Sequence, residues 1–370
     1  MNLQAAVSAG KSTRNNSARL SFADGLRGLA ALWVVLFHLA EGHHIETIKN
    51  VIPKLAYNIV FGWGHLGVAI FFVLSGFVMA LTAHKVKFNA ANACKFIARR
   101  LMRLTPPYYF AIIFALIFIF IKSKALHIAY MPPITSDLFK HAFFVQDLFN
   151  TPQINVVFWT LCIEVQFYIV FALLVWFADC LQLKYKTVDA RGIVIIVFCA
   201  IALLWPLELV TNIFWQGGFI GFWYSFLLGV IICWGWLNQG FLRIAAVLYC
   251  AILLIIGFIY HADFTIAAAI TASLLLLAGV VGKMHVWLNW AFLQWLGLVS
   301  YSLYLLHNPI TGASVNIAKK IFSIGLYADI LSMVIAVFAC LITAYISFLI
   351  VERPSIKWSH QIKLKKIGLH

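Results

Sequence analysis

The chain of 370 residues is too apolar for a water-soluble protein, because 64% of its residues are hydrophobic and only 11% are charged. Its net charge of +15 is dispersed over the ends of apolar runs, which indicates membrane topology and contact with anionic lipid and argues against nucleic-acid binding. Long, non-alternating apolar runs also exclude a transmembrane β-barrel.

Apolar runs of spanning length recur along the sequence. A helix needs about 20 mostly apolar residues to cross a hydrocarbon layer of roughly 30 Å. We therefore predict an all-α, polytopic membrane helix bundle of about ten transmembrane helices. The predicted spans are residues 24–41, 62–83, 104–121, 157–178, 192–210, 217–237, 243–260, 263–281, 292–313 and 328–351.

The distribution of Lys and Arg predicts the orientation of the bundle. With the N-terminus inside, most of the 27 Lys and Arg residues fall on the cytoplasmic side, as expected for short loops. Both termini are therefore predicted to be cytoplasmic. Three regions follow: a basic N-terminal segment (1–22), a transmembrane domain (23–354) and a basic C-terminal tail (355–370).

The first predicted helix carries two ionisable residues, Arg27 and His38, at membrane depth. Eleven residues take about three helical turns, so the two side chains share a face and lie roughly 16 Å apart along the axis. Charged groups at this depth are costly and are functional-site candidates by default. Alternatively, Arg27 reaches the inner headgroups and His38 makes a polar contact between helices.

In the second predicted helix, Ser75 and Gly76 lie in a run of small residues that favours close helix packing. We interpret this run mainly as a packing surface. The Ser75 hydroxyl is also able to form a hydrogen bond to a neighbouring helix.

Arg100 and Arg103, at the start of the third helix, are three residues apart and share a face. Guanidinium groups bind phosphate as a fork, so the pair suits a polyphosphorylated donor such as acyl-CoA. A stop-transfer cluster that binds lipid headgroups is an equally simple explanation.

Glu164 lies about two turns into the fourth helix, at a depth that should match that of His38. A carboxylate beside a histidine fixes its tautomer and stabilises the imidazolium. The alternative is structural pairing of Glu164 with Arg27 or another cation.

The ninth helix contains Tyr301, His307 and Pro309. Pro309 frees the carbonyl of Leu305 and predicts a kink near His307, which suits a cavity. A structural histidine with satisfied hydrogen bonds fits the same pattern.

Together these features resemble the acyltransferase 3 family of integral membrane acyltransferases over residues 21–354. The resemblance rests on the spacing of Arg27 and His38, the run Phe71–Phe77, Arg100 and Arg103 before Pro106 and Tyr108, Trp159–Tyr168 around Glu164, Tyr301–His307, and Glu352-Arg353-Pro354.

The resemblance implies O-acylation of a cell-envelope carbohydrate or another hydroxylated acceptor, in a bacterial inner membrane, with cytoplasmic acyl-CoA as donor and no metal. It implies His38 as catalytic histidine with Arg27 as its companion, Glu164 as a further acid, and Arg100 and Arg103 as the donor site. Ser75, Tyr301, His307 and Glu352 are further site candidates. Some members add a periplasmic domain, so this chain is expected to complete transfer itself, to use a separate periplasmic partner or to accept a simpler substrate.

In the resulting mechanistic hypothesis, His38 acts as general base on an acceptor hydroxyl, with an acyl-histidine intermediate as the variant. A transporter or flippase with a polar path lined by Arg27, His38, Glu164 and His307 is the competing hypothesis. A regulatory subunit on a catalytic scaffold is a third. Neither the acceptor, the acyl chain nor the oligomeric state follows from the sequence.

Overall fold

A computed structural model of the chain describes residues 20–42, 45–186, 189–210, 217–322 and 325–365, which contain helices and no β-strand. Residues 1–19 of the predicted N-terminal segment and 366–370 of the predicted tail lie outside the described residues. The α-helices are α1 (Ser21–Glu41), α2 (Glu46–Val51), α3 (Lys54–Tyr57), α4 (Gly67–His84), α5 (Ala90–Ala125), α6 (Thr135–Ala142), α7 (Trp159–Lys184), α8 (Ala190–Ala202), α9 (Trp223–Leu237), α10 (Phe241–Ile259), α11 (Asp263–Val280), α12 (Ala291–Ile321), α13 (Leu326–Ser347) and α14 (Arg353–Gln361).

Eight helical segments in the described part of the chain are long and apolar enough to cross a membrane. The predicted polytopic helical bundle is therefore confirmed. The segments are Ser21–Glu41, Lys54–His84, Ala90–Ala125, Trp159–Lys184, Phe219–Leu237, Phe241–Ile259, Asp263–Val280 and Leu326–Gln361.

The other two predicted spans also fall on helices but differ from the eight. Predicted span 192–210 is helical only through α8, whose 13 residues rise about 20 Å, and residues 203–210 form turns and bends. Predicted span 292–313 lies in α12, which has 31 residues but is less apolar. Helix α12 packs against α1 and α13, so its Ser300, Ser302 and His307 side chains are buried in protein and do not face lipid.

Helix α5 is longer than a single membrane thickness requires. Helix α5 has 36 residues and would span about 54 Å, well over the roughly 30 Å hydrocarbon layer. Its cap residue Asn89 accepts a hydrogen bond from the Asn92 amide at 2.8 Å. Pro107 removes the amide that would bond the carbonyl of Arg103, and the Ser355 hydroxyl of α14 donates to that carbonyl at 3.2 Å. This contact joins α14 to the arginine-bearing part of α5.

Glycine allows α4 and α9 to approach at backbone distance. A Cβ atom on Gly76 would lie 1.9 Å from the Phe226 carbonyl oxygen, and one on Gly229 would lie 2.0 Å from the Val73 carbonyl oxygen. The two glycines therefore occupy the same helix crossing from opposite sides. This agrees with the packing interpretation of the small-residue run.

Replacing Gly76 by alanine is expected to destabilise the protein by about 3 kcal/mol, because the added methyl group meets backbone that has little room to move. Gly312→Ala is the matched control, since a Cβ there meets nothing within 4 Å and alanine favours the helix. Thermal unfolding in detergent, followed by labelling of the buried cysteines, measures both variants. Equal midpoints for Gly76→Ala and wild type would show that the crossing is looser than described.

Candidate active site

The His38 imidazole lies at the end of α1 and is oriented by a carboxylate on the next turn. Its Nδ1 atom lies 2.8 Å from Oε2 of Glu41, and the side chains are 11% and 57% exposed. A carboxylate only accepts hydrogen bonds, so Nδ1 carries the proton and Nε2 presents a lone pair. The ring is therefore arranged to take a proton at Nε2.

The carboxylate that contacts His38 is Glu41 and not Glu164, contrary to the pairing expected from helix depth. Among the described residues, Glu164 makes no contact with His38. Its Oε1 atom accepts hydrogen bonds from the Ser75 hydroxyl at 2.8 Å and the Tyr168 hydroxyl at 2.5 Å. The expectation failed because the segment before α7 is itself buried, with Val157 at 2% and Phe158 at 0% exposure, so α7 begins inside the bundle.

Arg100 belongs to the same polar cluster as Glu164. Its guanidinium donates to the Thr82 hydroxyl at 3.1 Å and the Val78 carbonyl at 3.3 Å. It also lies 5.9 Å from the centre of the Tyr168 ring and is attracted electrostatically by Glu164. Arg100 is thus directed towards α4 and α7, into the bundle.

Arg27 lies between this cluster and a second buried carboxylate. It donates to Asp24 at 3.4 Å, and both side chains are about one-fifth exposed, at 21% and 19%. Glu164, Glu352 and Arg103 are all close enough to Arg27 to interact with it electrostatically. Arg27 therefore lies among charges of both signs.

Glu352 is 2% exposed and accepts hydrogen bonds from the backbone amide and the hydroxyl of Ser302, at 3.2 and 2.7 Å. It lies at the end of a π-helical turn, Phe348–Glu352, a local distortion that is frequent at functional sites. Tyr301 donates to the Leu104 carbonyl at 3.0 Å. Arg103 donates no hydrogen bond to another residue of the described ranges, so its guanidinium is the more available of the two predicted donor-site arginines.

His307 approaches His38 from α12, with ring centroids 5.1 Å apart. Its Nδ1 atom donates to the carbonyls of Tyr304 and Leu303 at 2.8 and 3.2 Å, which fixes the neutral tautomer. Its Nε2 atom is buried and has no hydrogen-bond partner among the described residues. This nitrogen, a hydrogen-bond acceptor beside His38, is able to bind a proton or a ligand.

The carbonyl of Leu305, freed by Pro309, finds a partner far along the chain. The Asn155 side-chain amide donates to it at 3.2 Å, and the Asn308 amide donates to the oxygen of Asn155 at 3.3 Å. The prediction that Pro309 releases this carbonyl is therefore consistent with the contacts, and Asn155 ties the segment before α7 to the turn that carries His307.

The predicted site residues therefore form two groups along α1. His38 and His307 lie at one end with Glu41, and the other group contains Arg27, Ser75, Arg100, Arg103, Glu164, Tyr301 and Glu352. Sequence reasoning missed Glu41, although its spacing of three residues from His38 on a helix places both on one face. It also missed Asn155, for which no local signal exists.

If Glu41 orients His38, Glu41→Gln is expected to reduce turnover by about tenfold, near the lower range for a charge-assisted hydrogen bond because Glu41 is largely exposed. Glu164→Gln is the comparison, because it removes a carboxylate from the other group. Steady-state turnover of both variants tests the assignment. A normal turnover rate in Glu41→Gln together with a large loss of turnover in Glu164→Gln would assign the orientation of His38 to Glu164 and not to Glu41.

The fold and site define a polytopic helical membrane protein with an oriented imidazole and a network of paired charges inside its bundle. The chain belongs to the acyltransferase 3 family, whose acyltransferase domain it matches over residues 20–352. The predicted resemblance is thereby confirmed.

Two bacterial relatives are similar over most of the chain. YrhL of Bacillus subtilis strain 168, named as a candidate peptidoglycan O-acetyltransferase, is 24% identical over 392 residues, covering 90% of this chain and 54% of YrhL. The peptidoglycan O-acetyltransferase OatA of Listeria monocytogenes EGD-e is 26% identical over 407 residues, covering 93% of this chain and 57% of OatA. The chain thus spans little more than half the length of either relative. No solved structure matches it significantly.

Proposed function

We propose that the protein is a membrane O-acyltransferase that moves an acyl group, acetyl in the simplest case, from cytoplasmic acyl-CoA to a hydroxyl of a cell-envelope carbohydrate in a bacterial inner membrane. The observation that carries this proposal is the His38 imidazole, whose Nδ1 atom is held by Glu41 and whose Nε2 atom carries the lone pair. Family membership and the two O-acetyltransferase relatives support the same chemistry.

In the proposed reaction, Nε2 of His38 takes the proton from the acceptor hydroxyl as its oxygen attacks the thioester carbonyl. Glu41 stabilises the imidazolium that forms. The tetrahedral intermediate collapses with cleavage of the carbon–sulfur bond, and the CoA thiolate receives the proton from His38. The products are an acyl ester and CoA.

The second group of charged residues is proposed to hold the donor. Arg103, whose guanidinium donates no hydrogen bond to another described residue, binds phosphate, while Arg100 supports this surface through α4 and α7. The group lies about three helical turns from His38 along α1, roughly 16 Å, a length that the flexible pantetheine arm of CoA is suited to bridge. Arg27 lies on that path, where a cation stabilises the thioester oxygen as it gains charge.

Glu164 and Glu352 are proposed to hold the arginines in place. Each carboxylate is held by hydroxyl donors on neighbouring helices and each attracts Arg27. Their part in catalysis is therefore indirect, through the position of the guanidinium groups. Ser75 and Tyr301 contribute hydrogen bonds to this framework and no bond-making step.

Transfer across a sealed membrane tests the proposal. The full-length protein is reconstituted in proteoliposomes that enclose an N-acetylglucosamine oligosaccharide, and acetyl-CoA labelled in its acetyl group is added outside. We expect labelled acetyl esters on the enclosed oligosaccharide and free CoA outside. Intact acetyl-CoA inside the vesicles with no ester formed would support a transporter and contradict the proposal.

Cellular glycans provide an independent readout. Mass spectrometry of envelope carbohydrates from cells with and without the protein is expected to show acetyl esters that depend on its presence. Unchanged glycans in the two strains would argue against a carbohydrate acceptor.

A further inference from the structure

A pocket opens directly beside the His38–Glu41 pair. Its volume is about 400 Å³, within the roughly 300–1,000 Å³ typical of small-molecule sites. The walls come from the end of α1, from α2, from α3 and from the turn that leads into α4. The lining side chains that matter for its chemistry are Phe37, Glu41, Glu46, Lys49, Tyr57 and Phe61.

Glu41 links this pocket to the proposed base, because the carboxylate that lines the pocket also holds Nδ1 of His38 at 2.8 Å. A molecule in the pocket therefore contacts the carboxylate that holds the imidazole, on the Nδ1 side of the ring. The pocket lies at the end of α1 remote from Arg100 and Arg103, so a donor held by those arginines would approach His38 from the other direction.

One wall of the pocket is aromatic. The Tyr57 and Phe61 rings lie 5.3 Å apart with an interplanar angle of 40°, and Lys49 Nζ lies 5.9 Å from the centre of the Tyr57 ring. Phe61 is only 5% exposed and is held in a small cluster with Ile45 and Ile48. The aromatic wall is thus supported from behind by the protein.

The polar groups of the pocket limit what it accepts. Two carboxylates, Glu41 and Glu46, face one ammonium group, that of Lys49, so a multiply charged anion is disfavoured. An alkyl chain would offer no hydrogen bond to these charged groups. A ring with apolar C–H faces and several hydroxyl groups satisfies both kinds of wall, because its face packs on the aromatic rings and its hydroxyls donate to the carboxylates.

We propose that this pocket is a subsite for the acceptor glycan and that it takes an uncharged, hydroxyl-bearing sugar ring next to the one whose hydroxyl reaches Nε2 of His38, with Tyr57 and Phe61 under the ring and Glu46 and Lys49 selecting its orientation. The inference rests on the proposed acyl transfer to a carbohydrate and adds the charge of this sugar ring and the residues that choose it. Glu41 then serves two purposes, since it holds His38 and faces the acceptor.

The test compares acceptor and donor kinetics in full-length protein in nanodiscs, where both faces are accessible. The probes are a neutral N-acetylglucosamine oligosaccharide, a uronic-acid oligosaccharide of equal length, and labelled acetyl-CoA. For Tyr57→Ala we expect the KM of the neutral acceptor to rise by about tenfold, with kcat and the KM of acetyl-CoA within about twofold of wild type. Tyr57→Phe keeps the ring and is expected to restore most of the acceptor affinity.

Leu55→Ala is the matched control, since Leu55 is on the same short helix, is 63% exposed and does not line the pocket. It is expected to leave all three constants unchanged. Slow hydrolysis of acetyl-CoA without acceptor reports folding and donor binding in each variant, and it should be the same in Leu55→Ala as in wild type.

Two results would overturn the subsite. An unchanged acceptor KM in Tyr57→Ala, with active wild type, would place the acceptor elsewhere. Preference for the uronic-acid probe, lost in Lys49→Gln, would show an anion site. Absence of any acetyl transfer in wild type would instead refute the proposed function, so the two failures are distinguishable.

Discussion

Replacing His38 by alanine is expected to reduce acyl transfer by about 10²- to 10⁴-fold, the range lost when a general base is removed. The physical reason is that His38 carries the imidazole that Glu41 orients, with its Nε2 lone pair placed to take the proton of the acceptor hydroxyl. The effect should fall on kcat, with the KM of acetyl-CoA within a few-fold of wild type, because the proposed donor contacts lie three turns away. Initial rates in nanodiscs with labelled acetyl-CoA measure both constants.

His65→Ala is the matched control for this prediction. His65 is also a histidine near the end of α1 and packs its ring on Phe37 at 5.2 Å, but it is exposed and bonds only the Gly62 carbonyl. It should retain near-normal activity. Equal activity of His38→Ala and wild type would show that His38 is not the base that the reaction requires.

The activity of His38→Ala also depends on whether His307 is able to replace His38 as the base. Its bare Nε2 atom lies in the same buried space as the His38 ring, so His38→Ala leaves one imidazole in the site. If His307 substituted for His38, the single variant would keep activity and only His38→Ala combined with His307→Ala would lose it. Complete loss in the single variant assigns the proton to His38.

The polytopic helical bundle was accessible from the sequence because hydrophobic length is a local property. Each apolar run is itself the signal, and all ten predicted spans fall on helices. Two predicted spans show the limit of hydrophobic length as a signal. Helix α8 stops after Ala202, and α12 tolerates polar residues because it packs against α1 and α13. Local composition does not reveal which helices lie inside the bundle.

Pairing between side chains was less accessible, because it depends on where each helix begins in space. Counting turns from the start of α7 placed Glu164 level with His38, but the buried segment through Phe158 shifts that start inwards, and Glu164 meets Ser75 instead. The partner on the same helix, Glu41, needed only helical spacing. Asn155, 150 residues from Leu305, could not be paired without the fold.

A second large effect is expected at a salt bridge remote from the site. Arg191 binds both oxygens of Asp179 through Nε and Nη2, at 2.5 and 2.6 Å, and also donates to the carbonyls of Ala83 and Val86 at 3.1 and 2.7 Å. Asp179 in turn accepts from the Phe88 amide at 2.6 Å. One guanidinium thus joins α7 and α8 to the connection between α4 and α5, on which Arg100 depends for its position.

Arg191→Ala is therefore expected to destabilise the protein by about 3–5 kcal/mol, because it leaves a largely buried carboxylate without its cation. The exposed fractions of the two side chains, 17% and 9%, are low enough that water replaces little of the lost interaction. Thermal unfolding in detergent, followed by reaction of the buried cysteines with a fluorescent thiol probe, gives the shift in midpoint.

Two further variants separate the loss of charge pairing from the loss of an arginine side chain. Arg243→Ala removes an arginine that donates only to the carbonyls of Gly235 and Trp236, so we expect a loss of about 1 kcal/mol. The double change Arg191→Leu with Asp179→Leu removes both charges and should recover part of the stability lost in Arg191→Ala, because replacing a whole buried pair by apolar residues is often close to neutral. A double variant less stable than Arg191→Ala would contradict this expectation. It would show that the hydrogen bonds of Arg191 to the carbonyls of Ala83 and Val86, and not its pairing with Asp179, join α7 and α8 to the connection between α4 and α5.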